Sequence, residues 1–164
     1  MPHRRLALAL AAPLLALFAA CALQPTAKPV SVADTIAREP DLSTMHTLVT
    51  KTGLIDTLKG SGPFTVFAPT NDAFKSLPAK SMDELAKDPA KLKALIGFHV
   101  LPARLTSADV TNANAKTTQG ANVLLAKAGS FVTVEEAMVQ HADIMATNGV
   151  VHTVDRVLTP PASR

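Results

Sequence analysis

The groups in this chain able to do acid–base, nucleophilic or metal chemistry are five histidines (His3, His46, His99, His141 and His152), one cysteine (Cys21) and thirteen acidic residues. Two of the histidines sit inside apolar runs, Gly97-Phe98-His99-Val100-Leu101 and Val150-Val151-His152-Thr153-Val154. A ring in such a run serves either as a ligand or general base, or as a core group whose nitrogens pair with nearby backbone or side chains. The second role suits the apolar surroundings. No two histidines have the spacing of a zinc motif, and no cysteine remains beyond position 21 to supply a thiolate. The chain has no Gly-x-Ser-x-Gly elbow, phosphate-binding loop, dinucleotide fingerprint or His-Glu-x-x-His pair. A Ser-His-Asp site assembled from distant residues stays open, because such triads are recognised by geometry. The expectation is no catalytic residue, no metal and no cofactor.

Composition narrows the classes further. The 164 residues include six Phe but no Trp or Tyr, so the core rests on Leu, Val, Ile, Ala and Phe. Stacking sites for sugars or bases are usually richer in aromatics. Of 16 basic residues, Arg4 and Arg5 fall in the first turn of a leader; the 14 that remain face 13 acidic ones and are scattered. That leaves no basic footprint for a phosphate backbone, and nucleic acid is set aside.

Arg4-Arg5 followed by the apolar run Leu6 to Ala20 has the layout of a secretory signal and is short for a membrane span. General secretion suits it better than twin-arginine export, whose polar context is missing around His3-Arg4-Arg5-Leu6. Leu17-Phe18-Ala19-Ala20-Cys21 resembles a bacterial lipobox, with Phe18 where Leu is usual; it implies a lipid on Cys21, and Ala22 after it implies sorting to the outer membrane. The other reading is an ordinary cut after Ala22 in Ala20-Cys21-Ala22. The division expected is a signal peptide over 1–20, a tether over 21–30, a single domain over 31–160 and a tail over 161–164. With one cysteine, its stability comes from packing rather than disulfides.

Asp41 is expected to cap a helix with Leu42, Met45, Leu48 and Val49 on its buried face, stopped by Gly53; Leu54, Ile55 and Leu58 start a second. Gly60-Ser61-Gly62-Pro63 reads as a turn and Phe64 to Ala68 as a buried strand ended by Pro69. Asn71-Asp72 offer a helix start, with Pro78 closing the element, and Asp88-Pro89 open a helix that carries His99 on its buried face or just past its end. Strands are expected at Val123 to Ala126, Phe131 to Val134, Ala142 to Thr147 and Val150 to Leu158, the last two joined at Asn148-Gly149 by a hairpin needing positive φ. Helices first and strands late predict an α+β fold, helices on a mostly antiparallel sheet or wedge.

Phe64-Thr65-Val66-Phe67-Ala68-Pro69-Thr70-Asn71-Asp72-Ala73-Phe74 and Asn148-Gly149-Val150-Val151-His152-Thr153-Val154-Asp155-Arg156-Val157-Leu158 resemble the two signatures of fasciclin domains, and Gly97 to Leu101 resembles the central motif, with Phe98 in place of the usual Tyr. The resemblance spans one complete domain. It implies a fasciclin-like fold that serves adhesion and protein interaction rather than catalysis. In animal matrix members an Asp-Ile pair and the Tyr-His region are linked to receptor binding; the matching positions are Asp143, Ile144, Phe98 and His99, though His141-Ala142 replace the acidic residue and proline that precede the pair. Thr70, Asn71, Asp72, Asn148, Gly149 and His152 are signature positions whose types are explained by caps, turns and packing. The function expected is a non-enzymatic, exported envelope protein that binds an envelope or extracellular protein or matrix polymer, with membrane contact through a lipid anchor. Its rivals are a carrier of a small apolar ligand held between helices and sheet, and a cryptic hydrolase.

Overall fold

The computed structural model describes residues 30–161. The leader, Cys21, the tether up to residue 29 and the tail from residue 162 lie outside the described residues. The first elements among the described residues are α1 (Val32–Arg38), a 3-10 turn (Pro40–Leu42), α2 (Ser43–Lys51) and α3 (Leu54–Lys59). Strand β1 (Phe64–Pro69) follows, then α4 (Asn71–Lys75), α5 (Ala79–Lys87) and α6 (Pro89–Phe98). Six strands complete it: β2 (Val100–Leu101), β3 (Ala113–Lys116), β4 (Asn122–Ala128), β5 (Phe131–Val134), β6 (Ala137–Ala146) and β7 (Gly149–Val154).

The strands form one sheet in the order β2-β1-β7-β6-β5-β4-β3. Every pairing is antiparallel except β1 with β7, which run parallel from Phe64 opposite Gly149 to Pro69 opposite Val154. Those two central strands are almost wholly buried, which explains their mainly apolar sequences, broken only by Thr65, His152 and Thr153. One core cluster joins α1, α2, α3 and α6 to β1 and β7 through Val32, Ile36, Met45, Leu58, Ile96, Val66 and Val151. The other fills the curl of β4 and β5 with Phe67, Phe98, Val123, Val132 and Val134. Each fully buried Leu, Ile, Val or Phe contributes on the order of 1.5–3 kcal/mol relative to exposure. The α+β architecture of helices on a mostly antiparallel sheet is as the sequence implies.

Local chemistry explains several element ends. Ser31 and Asp34 form a reciprocal capping box at the start of α1. Asp88 accepts from the N–H groups of Ala90 (3.0 Å) and Lys91 (3.1 Å) at the start of α6, with Pro89 at its first position. Gly53 adopts φ 70° between α2 and α3, a left-handed value that favours glycine.

Several expectations need correction. Asp41 lies in the 3-10 turn and caps nothing; the N–H of Thr44 in α2 is met by the Asn71 side chain instead. The helix that Asn71 starts does end ahead of Pro78, but Pro78 also leads into α5, which was not expected because its apolar residues Met82 and Leu85 are only half-buried and too sparse to announce a helix. Strands β2 and β3 are short, and Ala113-Asn114-Ala115-Lys116 has no β-branched residue to signal it. Strand β6 begins at Ala137 and carries register breaks that hide its alternation, while β7 stops at Val154 rather than Leu158.

Candidate functional site

The two signature asparagines hold helix ends that their own helices leave open. In Asn71, Oδ1 accepts from the Thr44 N–H at 3.0 Å and Nδ2 donates to the Pro40 carbonyl at 3.0 Å, tying the first turn of α4 to the entry of α2. In Asn148, Oδ1 accepts from the Val32 N–H at 2.8 Å, at the first position of α1. Its Nδ2 donates to the carbonyls of Leu58 and Gly60, both at 2.7 Å, at the end of α3. Helix termini carry unpaired backbone groups, and these two amides satisfy them from distant parts of the chain. Thr70 caps α4 by accepting from the Ala73 N–H. Asp72 pairs with Lys75 at 2.7 Å where both side chains are largely in water, a contact of little energetic weight.

The β6–β7 hairpin exists, but for a different reason than expected. Its turn residues are Thr147 and Asn148, and neither Asn148 nor Gly149 has positive φ. Gly149 is needed for close approach: a Cβ there would lie 2.0 Å from the Phe64 carbonyl oxygen and 2.9 Å from Val32 Cγ2. The parallel seam of β1 and β7 closes only without a side chain at that position.

Phe98 and His99 are buried, at 1% and 0% exposure, so neither presents side-chain surface to a partner. His99 Nε2 accepts the Leu158 N–H at 2.9 Å, which leaves Nδ1 protonated to donate to the Leu95 carbonyl at 2.8 Å. Burial pushes its pKa down to about 4, against a smaller opposing pull from the Leu95 carbonyl. His152 is likewise buried, its ring stacked on Phe67 with centroids 5.4 Å apart. Its Nδ1 accepts the Asp143 N–H at 3.2 Å and its Nε2 donates to the Leu105 carbonyl at 2.8 Å. Burial holds this imidazole below its ordinary pKa too.

Asp143 sits in the break of β6 between His141 and Ile144, at φ 61°. Left-handed backbone is uncommon for a residue with a Cβ, and aspartate is among the types that tolerate it. Its carboxylate accepts from both the N–H (2.7 Å) and the hydroxyl of Ser107. Partial burial opposes ionisation of Asp143, yet the Ser107 bonds and the nearby His152 outweigh it and hold the carboxyl below the usual range. Thr65 adds a further clamp, donating to the Ala103 carbonyl at 2.6 Å and accepting the Leu105 N–H at 2.8 Å. Asp143, His152 and Thr65 therefore staple the segment between β2 and β3 onto the sheet. Ile144 is half-buried against the first core cluster and pairs with Val151. Ser107, Leu105 and Thr65 were not singled out from sequence; the Thr106-x-x-Asp109 pattern, in which the Asp109 carboxylate accepts from the Thr106 N–H and hydroxyl, was the local signal of an ordered turn there.

Serine, histidine and aspartate thus meet, but wired for structure. Ser107 bonds the carboxylate of Asp143, not an imidazole, and all four ring nitrogens of His99 and His152 are engaged with backbone. A general base needs a free lone pair aimed at its nucleophile, and neither histidine offers one in this arrangement. Among the described residues, no three His, Cys, Asp or Glu side chains are grouped to hold a metal ion. His141 and Gln140 lie on the exposed surface of β6.

A buried parallel seam, helix ends tied by Asn71 and Asn148, and a bulged strand beside a stapled segment define a scaffold with its signatures in structural roles. The family model for the fasciclin domain matches residues 40–160, and the chain belongs to that family. It is 35% identical over 134 residues to Protein sll1483 of Synechocystis sp., covering 80% of this chain and 74% of that one. Immunogenic protein MPB70 of Mycobacterium bovis is 36% identical over 139 residues, with 82% and 70% covered. Transforming growth factor-beta-induced protein ig-h3 of Sus scrofa is 37% identical over 135 residues, 82% of this chain but only 20% of that much longer protein. In three dimensions the fold matches a FAS1 domain pair from the insect cell adhesion molecule Fasciclin I with a TM-score of 0.62 and 24% identity, over 75% of this chain and 46% of that one.

Proposed function

We propose that the chain is an exported cell-envelope protein, anchored by lipid on Cys21, that works without catalysis and uses its fasciclin domain to bind an envelope or extracellular protein or a matrix polymer. Arg4-Arg5, the apolar run to Ala20 and the position of Cys21 support export and anchoring. The observation that carries the binding role is an outward apolar face on β4, β5 and β6. Leu124, Phe131 and Met138 are 50%, 63% and 45% exposed, and the strand register sets them on the side opposite buried Val123, Leu125, Val132 and Val134. Large apolar side chains spread over one water-facing side of a sheet mark interaction surface. Family membership points the same way, since the resemblance implies adhesion and interaction.

The test measures saturable binding of the purified protein to envelope extract and to isolated matrix polysaccharide. Phe131→Ser with Met138→Ser, both at exposed positions, is expected to weaken binding at least about tenfold with no loss of folding, a loss of roughly 1.4 kcal/mol. Equal binding by wild type and double variant would discard this face. Turnover of model esters or glycosides that disappears in a folded His152→Gln variant would overturn the non-catalytic reading. Fractionation of cells with and without an inhibitor of lipoprotein processing reads the anchor directly.

A further inference from the structure

Apart from the outward face of β4–β6, the helical side of the domain carries an open groove of about 490 Å³ between α3 and α6. One wall is Leu54 and Leu58 of α3. The other is α6, whose groove-facing positions Ala90, Ala94 and Gly97 are small and recur at one-face spacing. The space exists because those positions carry almost no side chain. At one end the groove is shut where Gly97 abuts the loop before β4: a Cβ on Gly97 would stand 3.2 Å from Gln119 Cβ. From Ala90 to Gly97 the trough runs about 10 Å, at 1.5 Å of rise per helical residue.

We propose that this groove binds the acyl chain of a single-chain carboxylate amphiphile, a fatty acid of medium length, with its carboxylate on the ammonium of Lys93. The walls are mainly aliphatic, the character of a site for an apolar ligand fixed by few polar contacts. No acidic residue lines the groove, and Lys93 is its only cation. Among the described residues Lys93 forms no ion pair and is exposed, so its charge is available to a ligand. Side chains on a helix lean toward its N-terminus, which carries this ammonium over the Ala90 half, away from the closed end. Charge at one end and apolar surface toward the other match a head and a single tail. A trough of this length and volume takes one chain, which favours a free fatty acid over a two-chain membrane lipid.

The experiment titrates the purified full chain with decanoate below its micelle concentration by isothermal calorimetry, beside 1-decanol, decyltrimethylammonium and phosphatidylglycerol vesicles. Decanoate is expected to bind saturably at one site, tighter than decanol, with the cationic amphiphile weakest. Lys93→Glu should weaken decanoate about tenfold or more and leave decanol unchanged, while Lys93→Arg keeps the affinity. Ala90→Trp fills the groove mouth at an exposed position of α6, retains the backbone N–H bonded to Asp88, and should abolish binding of both. Circular dichroism checks that each variant is folded. Absence of saturable decanoate binding, binding indifferent to Lys93, or binding that survives Ala90→Trp overturns the proposal. So does Lys93-dependent capture by vesicles without decanoate binding, which would assign the cation to a membrane surface.

Discussion

Truncating Asn148 tests whether a signature residue holds the fold together from a distance. Its amide meets the Val32 N–H at 2.8 Å and the Leu58 and Gly60 carbonyls at 2.7 Å, so Asn148→Ala leaves one donor and two acceptors at helix ends without partners. The bonds to Val32 and Leu58 are partly buried and their loss costs about 1 kcal/mol each, while the exposed Gly60 carbonyl can turn to water and adds less, for a total of about 2–3 kcal/mol. For a domain of this size that lowers Tm by on the order of 10 °C. Asn148→Asp sharpens the test. The carboxylate keeps the acceptor for Val32 but turns its second oxygen on two carbonyl oxygens, which raises the folded-state pKa of the new acid above its unfolded value. A raised acid pKa favours folding when the group is protonated, so the deficit relative to wild type is greatest near about pH 7 and shrinks as pH falls through the raised value. The assay is urea unfolding followed by far-ultraviolet circular dichroism, since a chain without Trp or Tyr gives little intrinsic fluorescence. An Asn148→Ala penalty below about 1 kcal/mol, or an Asn148→Asp deficit that does not change with pH, would refute the capping account.

Two further predictions rest on other parts of the scaffold. Gly149→Ala places a Cβ 2.0 Å from the Phe64 carbonyl and should cost more than about 4 kcal/mol or prevent folding, whereas Gly129→Ala, at φ 63° with open space around it, should cost only about 1–2 kcal/mol; similar melting temperatures for the two would sink the close-approach argument. His99 is held neutral by burial, with a folded pKa of about 4 against 6.5 in the unfolded chain, so the unfolded state binds the extra proton. Stability is therefore complete above about pH 6.5 and falls by about 3 kcal/mol as pH drops to about 4. His152 adds a loss of the same sign. Urea midpoints that stay flat from about pH 7 to about pH 4.5 would contradict this, as would an imidazole resonance of His99 that titrates near its ordinary pKa.

Much of this fold is visible in local chemistry. Asp88-Pro89 marks the start of α6 because a carboxylate can accept two N–H groups where proline has none to offer. The run Phe64 to Ala68 announces a strand buried on both faces, and the two signature segments announce the family over residues 40–160. These features act within a few residues of chain, so sequence order carries them. The α5 helix and β3 escaped because each rests on a neighbour rather than on its own pattern: α5 has only Met82 and Leu85 to pack, and β3 borrows its ladder from β4.

What tertiary structure alone decided are the partners. Asp41 is well placed in sequence to cap α2, yet Asn71, more than two dozen residues away, reaches the Thr44 N–H first. Gly149 looks like a turn residue, and only the parallel seam with Phe64 reveals that it is there to let two backbones touch. The sequence leaves a Ser-His-Asp site open without naming its members; folding brings Ser107, Asp143 and His152 together, and the directions of their hydrogen bonds make the meeting a staple. Residue type and spacing determine which backbone conformations are cheap, and that is a local property. Which lone pair faces which N–H is set by packing of segments distant in sequence, and that arrangement is what separates a general base from a buried, fully paired ring.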